Sequence, residues 1–152
     1  MFSESLKEGE LGEHTVWNLL MKQSWVRNVV DVRADKNYQA DDIDFLVENT
    51  SRQFASVEVK TDFKAHETGN IVYELTTSGH TGCFEKTKAK YVAYFVPADK
   101  VVYWIDVVGF RTFLHKERPD EVQMGDNATG FIIPIEKLKR EKVIVRTFEG
   151  VM

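Results

Sequence analysis

Two alternating runs joined by a short turn constrain this chain more than any other feature. Residues 42–48 (DIDFLVE) put Ile43, Phe45 and Val47 on one face of a strand and Asp42, Asp44 and Leu46 on the other. Residues 53–61 (QFASVEVKT) set Ala55, Val57 and Val59 against Ser56, Glu58 and Lys60 in the same way. Asn49, Thr50, Ser51 and Arg52 between them are turn chemistry, so the two runs are expected to form a hairpin.

The remaining pattern fills in a layered domain. Residues 3–23 read as a helix, capped by Ser3, with Glu4 and Glu8 in its early turns. Phe2, Leu6, Val16, Trp17 and Leu20 fall on one stripe of that helix. Strands are expected at 25–33, 71–76, 91–96, 101–107, near 129–133 and at 142–148. The runs 91–96 and 101–107 flank Pro97 to Lys100 as a second hairpin. Short helices are expected at 82–90, 107–116 and from Pro134. A helix, mixed strands, a helix and further strands imply an α/β fold with a central mixed β-sheet flanked by helices. Nine glycines and three prolines are scattered as punctuation, so residues 1–152 read as a single domain.

Composition excludes some classes. With 43% hydrophobic residues the chain can bury a core, and nothing approaches the ~20 apolar residues needed to cross a membrane. The first residues lack the pattern of a signal peptide, and the single Cys83 cannot form an internal disulfide. A cytoplasmic location, in a bacterium or a phage-infected host cell, is the expectation. The net charge is −4, and ten of the 24 acids lie in the first 51 residues. That balance counts mildly against a tight DNA binder, although acids that gather divalent cations produce it too.

The hairpin carries the chemistry. Alternation puts Glu58 and Lys60 on one face, and the turn length places Asp44 opposite Glu58 or one step away. Directly opposed side chains have Cβ atoms roughly 4.5–5.5 Å apart. Two carboxylates that close repel unless a cation sits between them, and hard oxygen ligands suit Mg²⁺ or Mn²⁺. Lys60 then projects beside the metal, where an ammonium stabilises charge developing on a phosphate or orients water. Asp42 shares a face with Asp44 and replaces it if the register is two residues out. On the helix, Glu13 lies at the centre of the apolar stripe and Glu10 on its flank. A carboxylate there should reach the sheet edge and meet something positive, either the metal or Lys60, because an unpaired buried charge is costly.

A helical acid, then an Asp leading into a strand, then E-x-K on the next strand resembles the PD-(D/E)XK nucleases, whose fold is restriction-endonuclease-like. Lys7, Gly9 and Glu13 are similar to the first-helix signature of Holliday-junction resolvases of archaeal type. Thr68 to Glu74 and Thr87 to Tyr91 resemble segments of small phage-encoded members. Ile43 stands where the family often has proline. The resemblance implies a Mg²⁺- or Mn²⁺-dependent nuclease that hydrolyses DNA, with Asp44, Glu58 and the Val59 backbone carbonyl on the metal. Lys60 would act at the water, and Glu13 would assist.

Other residues admit two readings each. Glu74 is a secondary ligand or an exposed strand acid. Thr87, Lys88 and Lys90 grip phosphate or form an ordinary charged helix face, and Lys64 in the loop 62–70 touches the scissile strand or idles. The four histidines lack metal-ligand spacing, and Cys83 reads as a small helix residue rather than a nucleophile. Trp17, Trp25 and Trp104 sit in apolar runs and read as core. The alternative to an enzyme is a catalytically inactive nuclease-fold module that binds nucleic acid or a partner protein. A unit this small that cuts both strands would commonly act as a homodimer.

Overall fold

The computed structural model describes residues 2–151, with side chains from Lys7 onward, so the Ser3 cap and the Phe2 and Leu6 end of the helical stripe lie outside the described side chains. In chain order the elements begin with α1 (Phe2–Met21), β1 (Val26–Asp31), α2 (Lys36–Ala40), β2 (Phe45–Asn49) and β3 (Phe54–Thr61). Next come α3 (Ala65–Thr68), β4 (Asn70–Thr77), β5 (His80–Thr81), α4 (Cys83–Lys86) and β6 (Tyr91–Val96). The chain ends with β7 (Val101–Asp106), α5 (Val107–Glu117), β8 (Val122–Gln123), β9 (Ala128–Pro134), α6 (Ile135–Arg140) and β10 (Ile144–Glu149).

Six strands form the main sheet in the order β1-β2-β3-β6-β7-β10. Only the β3–β6 pair is parallel, which makes the sheet mixed, as expected. Both expected hairpins form: β2 with β3, and β6 with β7. A parallel neighbour needs a crossover, and residues 62–90 between β3 and β6 supply it. That crossover holds β4, which pairs with β9 in a separate sheet of order β5-β4-β9-β8. The separate sheet is not foreseen from the sequence, because β5 and β8 are two residues each and β9 pairs with a strand far behind it.

The apolar runs of β6 and β7 are continuous because both faces of the main sheet are covered. Ala93, Phe95, Val102 and Trp104 join Phe45, Val47 and Val57 in a core under Val16 and Leu20 of α1. Val92, Tyr94, Tyr103 and Ile105 point the other way, into a core with Ile71 and Tyr73 of β4, Phe84 of α4 and Phe110 of α5. Glu58 and Lys60 of β3 fall on this second face, beside Val92 and Tyr94 of β6. Among the described residues no helix is long and apolar enough to cross a membrane.

The seating of α1 depends on Gly12, which is buried against β3. A Cβ at this position would overlap the Thr61 side chain, whose buried hydroxyl has no hydrogen-bond partner. Glycine in mid-helix normally costs roughly 0.5–1 kcal/mol against alanine, so close packing explains it here. Gly12→Ala is expected to destabilise the chain by about 1–3 kcal/mol despite its better helix propensity, as read by urea unfolding.

Candidate functional site

Asp44 lies one residue before β2, and its position follows from the hairpin register. Phe45 pairs with Val57, so Asp44 stands opposite Glu58. The Asp44 amide donates to the Val57 carbonyl at 2.9 Å, and the Val59 amide donates to Asp44 Oδ2 at 2.8 Å. The backbone groups of Val57 and Val59 therefore turn toward β2. The Val59 carbonyl opens on the same side, where β2 has not yet begun. Glu58 and Lys60 share the adjoining face by alternation. Strand alternation assigns the three expected side chains to one face of the sheet.

Both carboxyls are held above their ordinary range. Burial pushes Asp44 up to about 6, helped by the negative charges of Glu13 and Asp42, while the Val59 N–H and Arg33 offset part of the rise. Burial likewise pushes Glu58 up to about 7, with Asp42 and Asp44 adding repulsion. The Thr87 hydroxyl and the Cys83 thiol beside Glu58 pull the other way.

Glu13 reaches the sheet edge, but its partner is neither of those expected. Its Oε2 accepts from Arg33 Nη1 at 2.6 Å, and Arg33 also pairs with Asp31 at 2.7 Å. Arg33 was expected to end a strand over 25–33, but β1 stops at Asp31 and Arg33 lies two residues beyond it. Glu10, Glu13, Asp31, Arg33 and Asp44 line a cleft of about 520 Å³ at this edge. Glu13 therefore borders the Asp44 side of the centre, from a helix that packs on the opposite face.

Cys83 and Thr87 carry roles that the sequence reading missed. The Cys83 thiol, at the start of α4, donates to Glu58 Oε2 at 3.4 Å. Thr87 is 1% exposed; its hydroxyl donates to the Asp42 carbonyl at 3.0 Å and accepts from the Ala89 amide. A phosphate contact from Thr87 is thus ruled out by burial, and the residue ties the α4 segment to the Asp42 turn instead. Asp42 itself adopts a left-handed backbone (φ 54°), which turns the chain into β2 and takes Asp42 off the strand. Its carboxylate lies 3.5 Å from Lys86 Nζ, near enough to repel Glu58 without pairing in the hairpin. Arg111 braces the same segment by donating to the carbonyls of Phe84, Glu85 and Thr87.

Lys60, Phe63 and Lys64 line a cleft of about 840 Å³ whose far wall is the second sheet, including Met124 and Ile132. Glu74 faces this cleft and accepts a hydrogen bond from Thr77, so it does not converge with Asp44 and Glu58. Lys88 is exposed and lies 3.6 Å from Asp41. Among the described residues no three His, Cys, Asp or Glu side chains come together as a metal cage. The donors that strand register sets opposite each other are the Asp44 and Glu58 carboxylates, a pair that suits a hard cation retaining several waters.

No family model and no curated protein sequence matches the chain. Its fold is similar to that of a solved bacterial homing endonuclease, I-Ssp6803I, with a TM-score of 0.50 at 12% identity. The likeness covers 86% of this chain and 79% of that one, so the two share an α/β fold over most of their length.

Proposed function

We propose that this chain is a divalent-metal-dependent nuclease of the PD-(D/E)XK type that hydrolyses phosphodiester bonds in DNA. One observation carries the reading: Asp44 and Glu58 face each other across the hairpin, and both hold their protons well above the ordinary carboxylate range. Burying two acids side by side is unfavourable without a cation, and a fold selected for stability alone would not retain the pair. The homing endonuclease with a similar fold supports the same direction.

Asp44 and Glu58 would hold Mg²⁺ or Mn²⁺ together with the Val59 carbonyl. When bound, the cation supplies charge neutralisation at the phosphate and acidifies water enough for attack near neutral pH. Lys60 sits on the same strand face and offsets the charge that builds on the phosphate oxygens. Cys83 orients the Glu58 carboxylate through its S–H, and Glu13 fixes Arg33 beside Asp44. The substrate strand would run through the cleft at Lys60, with Lys64 near its phosphates.

Cleavage of plasmid and oligonucleotide DNA tests the proposal. Mn²⁺ should support cutting, EDTA should stop it, and Lys60→Ala should slow it about 10²–10³-fold while Mn²⁺ still binds by calorimetry. Metal-independent cutting, or full activity in Lys60→Ala, would overturn the assignment. Nucleic-acid binding without any Mn²⁺ affinity would assign an inactive binding module instead.

A further inference from the structure

The other face of the main sheet carries a second concavity, of about 280 Å³, beyond the C-terminal end of α1. Trp25, Phe54, Tyr91 and Trp104 form its aromatic lining, with Lys90 and Arg146 among them. Trp104 is the floor, 4% exposed, with Tyr91 packed 5.2 Å from it between ring centroids. Phe54 borders the rim, 60% exposed, at the start of β3 where alternation turns its side chain to the Glu58 face. The Arg146 guanidinium lies 4.6 Å over the Trp25 ring, and the Lys90 ammonium 5.3 Å over Tyr91.

The charge of this pocket runs against that of the molecule. The chain has 24 acids to 20 Lys and Arg, yet the pocket lining holds two cations and no carboxylate. Neither Lys90 nor Arg146 is ion-paired with a carboxylate among the described residues. Held over aromatic rings, both keep N–H groups free for an anion. At the rim Asn49 donates to Gln53 Oε1 at 3.3 Å, which leaves the Gln53 amide hydrogens to donate outward.

A bare anion would have no use for the aromatic lining, and a purely apolar ligand would have none for the cations. The combination matches a flat π-system bearing a phosphate. We infer that this pocket is a nucleotide-binding site, in which a base lies against the half-buried Trp25 and Tyr91 above the Trp104 floor and its phosphate meets Arg146 and Lys90. Ala55 of the pocket is three residues from Glu58, about 10 Å along β3, and on the opposite face of the sheet. The site is therefore separate from the acid pair, and it stands whether or not that pair is catalytic.

The test is calorimetry and tryptophan emission in EDTA at low salt, with adenosine monophosphate, a short single-stranded oligodeoxynucleotide and inorganic phosphate as probes. Saturable heat and quenching are expected with a nucleotide probe and not with inorganic phosphate. Tighter binding of the oligonucleotide than of the mononucleotide would identify a strand as the source, and equal binding a free nucleotide. Arg146→Gln and Lys90→Gln change exposed side chains and should leave the unfolding temperature unaltered. Each should weaken binding about tenfold, the scale of one charge-assisted hydrogen bond. No binding at millimolar nucleotide, equal binding of inorganic phosphate, or undiminished affinity in both variants overturns the inference.

Discussion

Glu58→Gln is expected to make the metal-free protein more stable while removing its metal-supported cleavage. The substitution keeps the shape of the side chain and an oxygen for the Cys83 thiol, but it deletes one of two opposed charges. With the charge gone, a cation loses half of its carboxylate ligation, and cleavage should fall at least about a hundredfold. The same deletion relieves the burial and repulsion that push Glu58 up to about 7. At pH 8 in EDTA the variant should therefore resist urea better than wild type by roughly 2–3 kcal/mol. A variant that is less stable than wild type at that pH, or one that still cuts, would show that Glu58 is an ordinary strand residue.

Stability of the metal-free chain should fall as pH rises through 6 and 7. Asp44 goes from an ordinary value of 3.8 to about 6 on folding, and Glu58 from 4.5 to about 7. Between those limits the folded chain binds more protons than the unfolded one, so the slope of stability against pH is negative. The contribution is full below about pH 4 and is lost once pH passes the folded-state values, at roughly 2–3 kcal/mol for each carboxyl. Saturating Mn²⁺ replaces the protons, so the loss should disappear and metal affinity should itself climb over the same window. Urea unfolding between pH 5 and 8, with and without Mn²⁺, reads this directly. Comparison with Asp44→Asn plus Glu58→Gln isolates the pair from the other titrating groups. A flat difference curve would mean that the two acids are solvated and do not form a metal centre.

On the proposed function, the destabilisation expected from Asp44 and Glu58 at neutral pH is the ordinary cost of holding a charged site ready for a ligand. Arg111 and Thr87 offset part of that cost by fixing the α4 segment against the Asp42 turn. The pocket of Trp25 and Arg146 lies on the other side of the sheet and has no share in it.

How much of this was legible in the sequence follows from the range of the interactions. Alternation in a strand has a period of two and a short turn limits its register, so residues 42–61 brought Asp44 opposite Glu58 or one step away, and the structure chose the first. The apolar runs of β6 and β7 were likewise legible as a second hairpin, and the structure adds that both faces of that sheet are covered. The partner of Glu13 was another matter. A stripe-centred acid announces a need for positive charge, but nothing local chooses Arg33, twenty residues away, over Lys60. The Cys83 contact to Glu58 spans twenty-five residues and depends on where the crossover lays α4 down. Thr87 read as a surface helix residue because α4 was expected to run to 90, whereas it stops at Lys86 and the chain turns inward.

By itself, then, the sequence determined the hairpin, its opposed acids and the amine beside them, because strand periodicity and turn length act between neighbours. The tertiary structure alone decided that β6 lies parallel to β3, that a second sheet walls the cleft at Lys60, and that Arg33 answers Glu13. It alone gathered Trp25, Tyr91, Trp104 and Arg146, drawn from four separate segments, around one pocket. Such meetings depend on how elements distant in the chain pack, and no spacing within any one segment encodes that.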